Sequence, residues 1–269
     1  MKNRPIGIFD SGLGGLTVMK EIVKLLPKED IVYFGDTGRV PYGTRSRETI
    51  KKYATEDAKF LLSHNVKAII AACGTVSAVA ADTADVLPVP FFEMITPAAT
   101  AAVKATKSGK IGIIGTPATV KSGEHKKRIL SLLPNAQIFA VPCPLFVPLV
   151  EEGLTSKDDI IVLETVKKYL LPLKQEGIDT LILGCTHYPL LSDVIAEVMG
   201  KDVTLINPGE ELGIILREYL SLQNLLNDNG GEHNYFVSDM TSSFQVTAEN
   251  LIGEKIRAEN AKQVDINKL

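Results

Sequence analysis

Short apolar runs recur along the chain, and stretches with one apolar face fill the gaps between them. The runs are Pro5–Phe9, Asp30–Phe34, Lys67–Ala72, Val89–Met94, Lys110–Ile114, Gln137–Val141, Thr180–Leu183, Val203–Ile206 and Tyr235–Val237. Several are near-continuous Ile, Val and Leu, the pattern of strands buried on both faces. From Ser46 to His64 the apolar positions Ile50, Tyr53, Ala54, Ala58, Leu61 and Leu62 share one face at a 3.6-residue period. Ile161, Val162, Thr165, Tyr169 and Leu170 form a similar stripe between Lys157 and Gln175, and Leu16–Leu26 predicts a further helix. Strands alternating with helices predict α/β architecture, with doubly wound, mainly parallel sheets covered on both faces.

The pattern also repeats. Ile6-Gly-Ile-Phe-Asp-Ser opens one half and Ile111-Gly-Ile-Ile-Gly-Thr the other, and each half has a later apolar strand that runs into cysteine. Those strands are Ile69-Ile-Ala-Ala-Cys73-Gly-Thr75 and Leu181-Ile-Leu-Gly-Cys185-Thr186. Buried strands draw on few residue types, but the matched order predicts two related domains. The expected division is 1–96 plus 208–269 for the first domain and 97–207 for the second. Pro-rich Val86–Pro97 and Asn207-Pro-Gly are the expected crossings.

Charge and cysteine usage narrow the function. Lys and Arg number 29 against 32 Asp and Glu, for a net charge of −3 with no long basic run, which disfavours a dedicated nucleic-acid binder. Asp10 cuts short the first apolar stretch, and Lys67, Asp82, Asp85, Pro88 and Pro90 interrupt the richest one. Neither a signal peptide nor a membrane span is expected, so the reading is a soluble cytoplasmic protein. Three cysteines are too few for a disulfide framework and point to free thiols in a reducing compartment.

Cys73 and Cys185 fall at strand ends, where ligands bind in open α/β sheets and where a following helix start favours thiolate. Either could be an inert buried thiol, and Cys143, in Val141-Pro-Cys-Pro, has only that structural reading. Four histidines without metal-ligand spacing predict no metal site. A hydrolytic Cys185–His187 pair is an alternative that leaves Cys73 unexplained. Two thiols across a cleft suit removal of a proton from one face of a carbon and its return on the other. Asp10 is the candidate partner of Cys73, or a helix cap. His187 and Glu152 are the candidates for Cys185. The loop Asp10-Ser-Gly-Leu-Gly-Gly-Leu-Thr17 approaches a dinucleotide fingerprint but has Thr17 where the third glycine belongs, although Asp36 could imitate a ribose ligand. The favoured alternative is an anion cradle built from the amides of Ser11–Gly12, Gly74–Thr75 and Thr186–His187.

Three segments together resemble the bacterial glutamate racemases. They are Ile8-Phe-Asp-Ser-Gly-Leu-Gly-Gly15, Gly35-Asp-Thr-Gly-Arg-Val-Pro-Tyr-Gly-Thr-Arg-Ser46 and Gly184-Cys-Thr-His-Tyr-Pro-Leu-Leu191, and the resemblance runs from Pro5 to about Asn250. It implies two pseudosymmetric, flavodoxin-like domains with the active site in the cleft between them, and a homodimer. It implies two-base racemisation of glutamate without a cofactor, supplying D-glutamate for peptidoglycan, with no membrane or nucleic-acid partner. Cys73 and Cys185 would be the acid/base pair, each serving one hand of the substrate, with Asp10 assisting the first and His187 and Glu152 the second. Asp10, Ser11, Tyr42, Gly43, Thr75, Thr116, Thr186 and His187 would contact substrate. Gly74 stands where the family usually has Asn, and so offers its backbone without a side-chain amide, with room for a replacing water. A related two-thiol racemase acting on aspartate or another α-substituted acid is the alternative, and a degenerate binding protein a third reading.

Overall fold

The structure, a computed structural model, describes residues 1–241, 244–253 and 255–266. Its first half runs β1 (Ile6–Asp10), α1 (Leu16–Leu25), β2 (Ile31–Gly35), α2 (Arg47–Ser63), β3 (Ala68–Ala71), α3 (Gly74–Val79), β4 (Phe91–Phe92) and α4 (Ile95–Ala105). Next come β5 (Lys110–Gly115), α5 (Pro117–Ser122), α6 (Glu124–Leu132), β6 (Gln137–Pro142), α7 (Phe146–Glu151), α8 (Ile160–Gln175), β7 (Thr180–Gly184), α9 (Ser192–Met199) and β8 (Thr204–Ile206). The chain ends with α10 (Pro208–Leu222), β9 (His233–Val237), α11 (Phe244–Ile252) and β10 (Ala261–Gln263).

Two parallel sheets result, ordered β10-β9-β2-β1-β3-β4 and β6-β5-β7-β8. The four strands β2-β1-β3-β4 and the whole second sheet therefore share one order, each with its lead strand second in line. The chain after α10 returns to the first sheet, where β9 pairs with β2 and β10 with β9. Every residue of β1, β2, β3 and β7 is buried, as their Ile-, Val-, Leu- and Phe-rich content favours. Each such side chain contributes about 1.5–3 kcal/mol on burial.

Two boundaries differ from the sequence expectation. The strand expected over Val89–Met94 shrinks to Phe91–Phe92. Pro88 and Pro90 have no N–H to give a ladder, and the Glu93 carboxylate turns to accept from the amides of Ile95 and Thr96, starting α4. The helix expected from Lys157 begins at Ile160, because Asp159 accepts from the amides of Ile161 and Val162 and sets the N-terminus there. Among the described residues no helix is long and apolar enough to cross a membrane.

The two sheets meet at the carboxyl ends of their strands. The Thr17 hydroxyl at the start of α1 donates to the Thr186 carbonyl beyond β7, at 2.7 Å. A Cβ on Gly14 would lie 2.4 Å from both His187 Cε1 and Thr186 Oγ1, so the glycine-rich turn after β1 is spaced to pack against the turn after β7.

Candidate active site

A cavity of about 300 Å³ opens where the strand ends converge. The turn after β1 contributes Ser11, the turn Tyr42–Thr44 lies on one wall, and the start of α3 brings Cys73, Gly74 and Thr75. The turn after β5 supplies Thr116, and that after β7 supplies Cys185, Thr186 and His187. Each sequence-predicted contact except Asp10 and Glu152 thus reaches one cavity.

Cys73 caps α3 at the end of β3, and Cys185 follows β7, the corresponding strand of the second sheet. Their surroundings differ. The Cys73 thiol donates to Ser11 Oγ at 3.5 Å. Burial, then the nearby Asp10 carboxylate, push it up to about 12, against smaller help from Ser11 and the Val76 amide. Asp10 sits fully buried behind Ser11 and accepts from the Gly12 amide at 3.0 Å. Burial holds its carboxyl above the usual range despite the attraction of His187. Cys185 Sγ instead faces a cation, with His187 Nδ1 3.8 Å away. Burial pulls the imidazolium down, but contacts with Cys185 and Glu151 outweigh it and hold His187 up at about 10.

Several sequence expectations need correction. The carboxylate that reaches His187 is Glu151, whose Oε1 lies 3.3 Å from Nε2, not Glu152. Glu151 is the last residue of α7 and lines the cavity, whereas Glu152 is the exposed residue that follows. Neighbouring helical residues point about 100° apart, so only one of the pair faces His187. The Tyr42 hydroxyl turns away from the cavity to Asp36 and Asp57, leaving only the rest of that residue on the wall. Asp36 is fully buried among Arg39, Tyr42 and Ser238, and so cannot hold a ribose. The Gly12 amide, expected in an anion cradle, is taken by Asp10. At Gly74 there is no room where a side chain would begin, because a Cβ would meet the Gly184 carbonyl oxygen at 2.6 Å.

Sequence reasoning missed three features. Pro144, Val147 and Pro148 form an apolar wall. Thr75 and Thr116 join hydroxyls at 3.1 Å across the junction of the two sheets. Asp57 is a buried acid, and its signal was a charge on the apolar stripe of α2 beside Ile50, Ala54 and Leu61. Cys143 is buried away from the cavity, its Sγ 3.7 Å from the Val141 carbonyl oxygen, and burial pushes its thiol up.

The cavity is bordered by two thiols at equivalent strand ends, one beside an acid and one beside an imidazolium, an arrangement chemically able to move protons. The profile of the Asp/Glu/Hydantoin racemase family matches residues 6–212. A glutamate racemase of Geobacter metallireducens is 45% identical over 256 residues, 94% of each chain. One from Thermoanaerobacter pseudethanolicus is 45% identical over the whole of both. The crystal structure of glutamate racemase from Francisella tularensis in complex with D-glutamate has a TM-score of 0.93 at 39% identity, covering 100% of each chain. The chain belongs to the Asp/Glu/Hydantoin racemase family and is a racemase, an isomerase. Within that family it belongs with the glutamate racemases.

Proposed function

We propose that the chain interconverts L- and D-glutamate by two-base proton transfer between Cys73 and Cys185, without a cofactor. The observation that carries this reading is the pair of thiols on matching strand ends of one cavity, with unlike neighbours. One sulfur acts as thiolate and removes the α-proton, forming an S–H bond as the C–H electron pair passes to the α-carbon. The opposite thiol then gives its proton to the other face, and the two cysteines end with their protonation exchanged. Asp10 assists Cys73, while His187, held by Glu151, assists Cys185. Backbone amides and the hydroxyls of Ser11, Thr75, Thr116 and Thr186 bind the substrate, in a cavity at the lower end of small-ligand pockets in size. Similarity to glutamate racemases along the full chain supports glutamate over shorter acids.

The same family membership supports a cytoplasmic homodimer that supplies D-glutamate for peptidoglycan. It also supports division into domains 1–96 plus 208–269 and 97–207, since the two sheets draw their strands from those segments. Residues 242–243, 254 and 267–269 of that division lie outside the described residues.

Incubation with either enantiomer of glutamate in deuterated water, without added cofactor, tests the proposal. Loss of optical rotation together with α-deuteration is expected. Cys73→Ser and Cys185→Ser should each abolish racemisation while leaving α-exchange from one hand. An inactive wild type would overturn the reading, and faster turnover of aspartate would replace its substrate.

A further inference from the structure

Beneath the Tyr42–Gly43 wall lies a cluster of acids that the proton-transfer scheme does not use. The Tyr42 hydroxyl stands between Asp36 Oδ2 and Asp57 Oδ2, the latter 2.9 Å away. Arg39 binds Asp36 through Nε at 2.5 Å, Asp57 Oδ1 through Nη2 at 2.9 Å, and Glu56 through Nη1. Its guanidinium carbon lies 4.1 Å from the centre of the Tyr53 ring. Asp36 also accepts from the Ser238 hydroxyl at 2.8 Å, and Ser238 Oγ accepts in turn from the Gly38 amide. Asp36 and Asp57 are both fully buried.

Counting protons assigns the charges. Tyr42 has one hydroxyl hydrogen but touches two carboxyl groups. Asp36, with Arg39 and Ser238 donating to it, is the better-supported carboxylate and takes that hydrogen. The contact between Asp57 and the Tyr42 oxygen then has no proton unless Asp57 supplies one. We infer that Asp57 is a neutral carboxylic acid that donates to Tyr42, and that Asp57 and Arg39 are positioning residues for the Tyr42–Gly43 wall of the substrate cavity. Burial, and then the neighbouring Asp36 charge, also drive the Asp57 carboxyl upward. An ionised Asp57 would set two buried charges against one tyrosine oxygen, and a single shared arginine would not offset that cost.

The cluster acts on the site through backbone. Residues Val40, Pro41, Tyr42, Gly43 and Thr44 border the cavity, and a Cβ on Gly43 would lie 3.3 Å from the Thr116 Cβ of the second half. Tyr42 is tied below by its hydroxyl, so displacement of that hydroxyl moves the turn that meets Thr116. The substrate-binding part of this inference rests on the glutamate reading above, and the protonation part does not.

Asn at position 57 reproduces the neutral acid, since its Nδ2 donates to Tyr42 and its Oδ1 accepts from Arg39. Infrared difference spectra of wild type minus Asp57→Asn at neutral pH should show a carboxylic-acid carbonyl band, and a carboxylate pair in its place would overturn the assignment. Amide hydrogen exchange over residues 37–46 should match wild type in Asp57→Asn and quicken in Asp57→Ala and Arg39→Ala. For glutamate, Asp57→Ala and Arg39→Ala should raise KM about tenfold with a smaller change in kcat, and Asp57→Asn should restore KM. If Asp57→Ala does not fold, Asp57→Asn decides alone, and fast exchange or a raised KM in that variant would overturn the inference. The infrared and exchange measurements need no turnover, so they separate its failure from failure of the glutamate reading.

Discussion

His187 and Glu151 meet as an ion pair, Nε2 to Oε1 at 3.3 Å, where the end of α7 packs against the turn after β7. Against the pull of burial, Cys185 and then Glu151 give His187 a pH signature. Its pKa is raised from 6.5 to about 10, so its contribution to stability is full below about 6.5 and is lost as pH rises through about 10. The rate should fall on the same alkaline limb. Glu151→Gln should move that limb to lower pH in profiles of kcat/KM. Half the Glu151 side chain is exposed, which limits its worth to about 1 kcal/mol, or about fivefold in rate. Glu152→Gln should leave the profile as it is, and an equal effect from the two variants would overturn the assignment of Glu151.

Substitution of Asp10 should set stability against turnover. Its pKa is raised, chiefly by burial, so the folded state is favoured below the ordinary carboxylate range and loses that advantage as pH climbs through the raised value. Asp10→Asn removes the buried charge while keeping an acceptor for the Gly12 amide. Thermal unfolding at neutral pH should therefore occur at the same or a higher temperature. Turnover should fall by about a hundredfold, the usual scale of a lost acid/base group. A variant that is both less stable and fully active would contradict both roles.

Gly74 marks a close approach of the two halves. Gly74→Ala would put a methyl carbon 2.6 Å from the Gly184 carbonyl oxygen, a backbone atom that cannot turn aside. A cost of about 1–3 kcal/mol follows. A matching drop in the melting temperature should appear in calorimetry, with Gly74→Asn at least as costly. Unchanged stability in both variants would show that the halves sit farther apart than described.

Cys143 supplies the contrast to the two cavity thiols. It is fully buried in the apolar core, and its thiol lies against the Val141 carbonyl oxygen, away from the cavity. Cys143→Ala should keep kcat and KM and cost about 1 kcal/mol in chemical denaturation, for the volume removed. Loss of activity without loss of stability would give this cysteine a chemical role.

The parallel architecture and the paired cysteines were legible in the sequence because both rest on local pattern. Strands such as Thr180–Gly184 are apolar at nearly every position, and each cysteine stands at the end of such a strand. The choice between Glu151 and Glu152 was not legible. It depends on helical phase, which is fixed only once α7 starts at Phe146. Asp57 was overlooked although it breaks an apolar stripe, because its partners Asp36, Arg39 and Tyr42 lie on a distant turn. The motif Gly35–Ser46 suggested that Tyr42 meets substrate, but its hydroxyl direction is set by two buried acids outside any local pattern.

The shared strand order carries a thermodynamic consequence. β1 ends in Asp10 and its counterpart β5 ends in Gly115, so a duplicated frame holds unequal chemistry on its two sides. In a racemisation the mirror-image substrates have equal free energy, and kcat/KM must then be the same in both directions whatever the enzyme's own asymmetry. The imbalance between the Asp10 and His187 sides can therefore appear only in kcat and KM taken separately. The hand that binds more tightly must turn over more slowly, and the unequal side chains on the duplicated frame decide which hand that is.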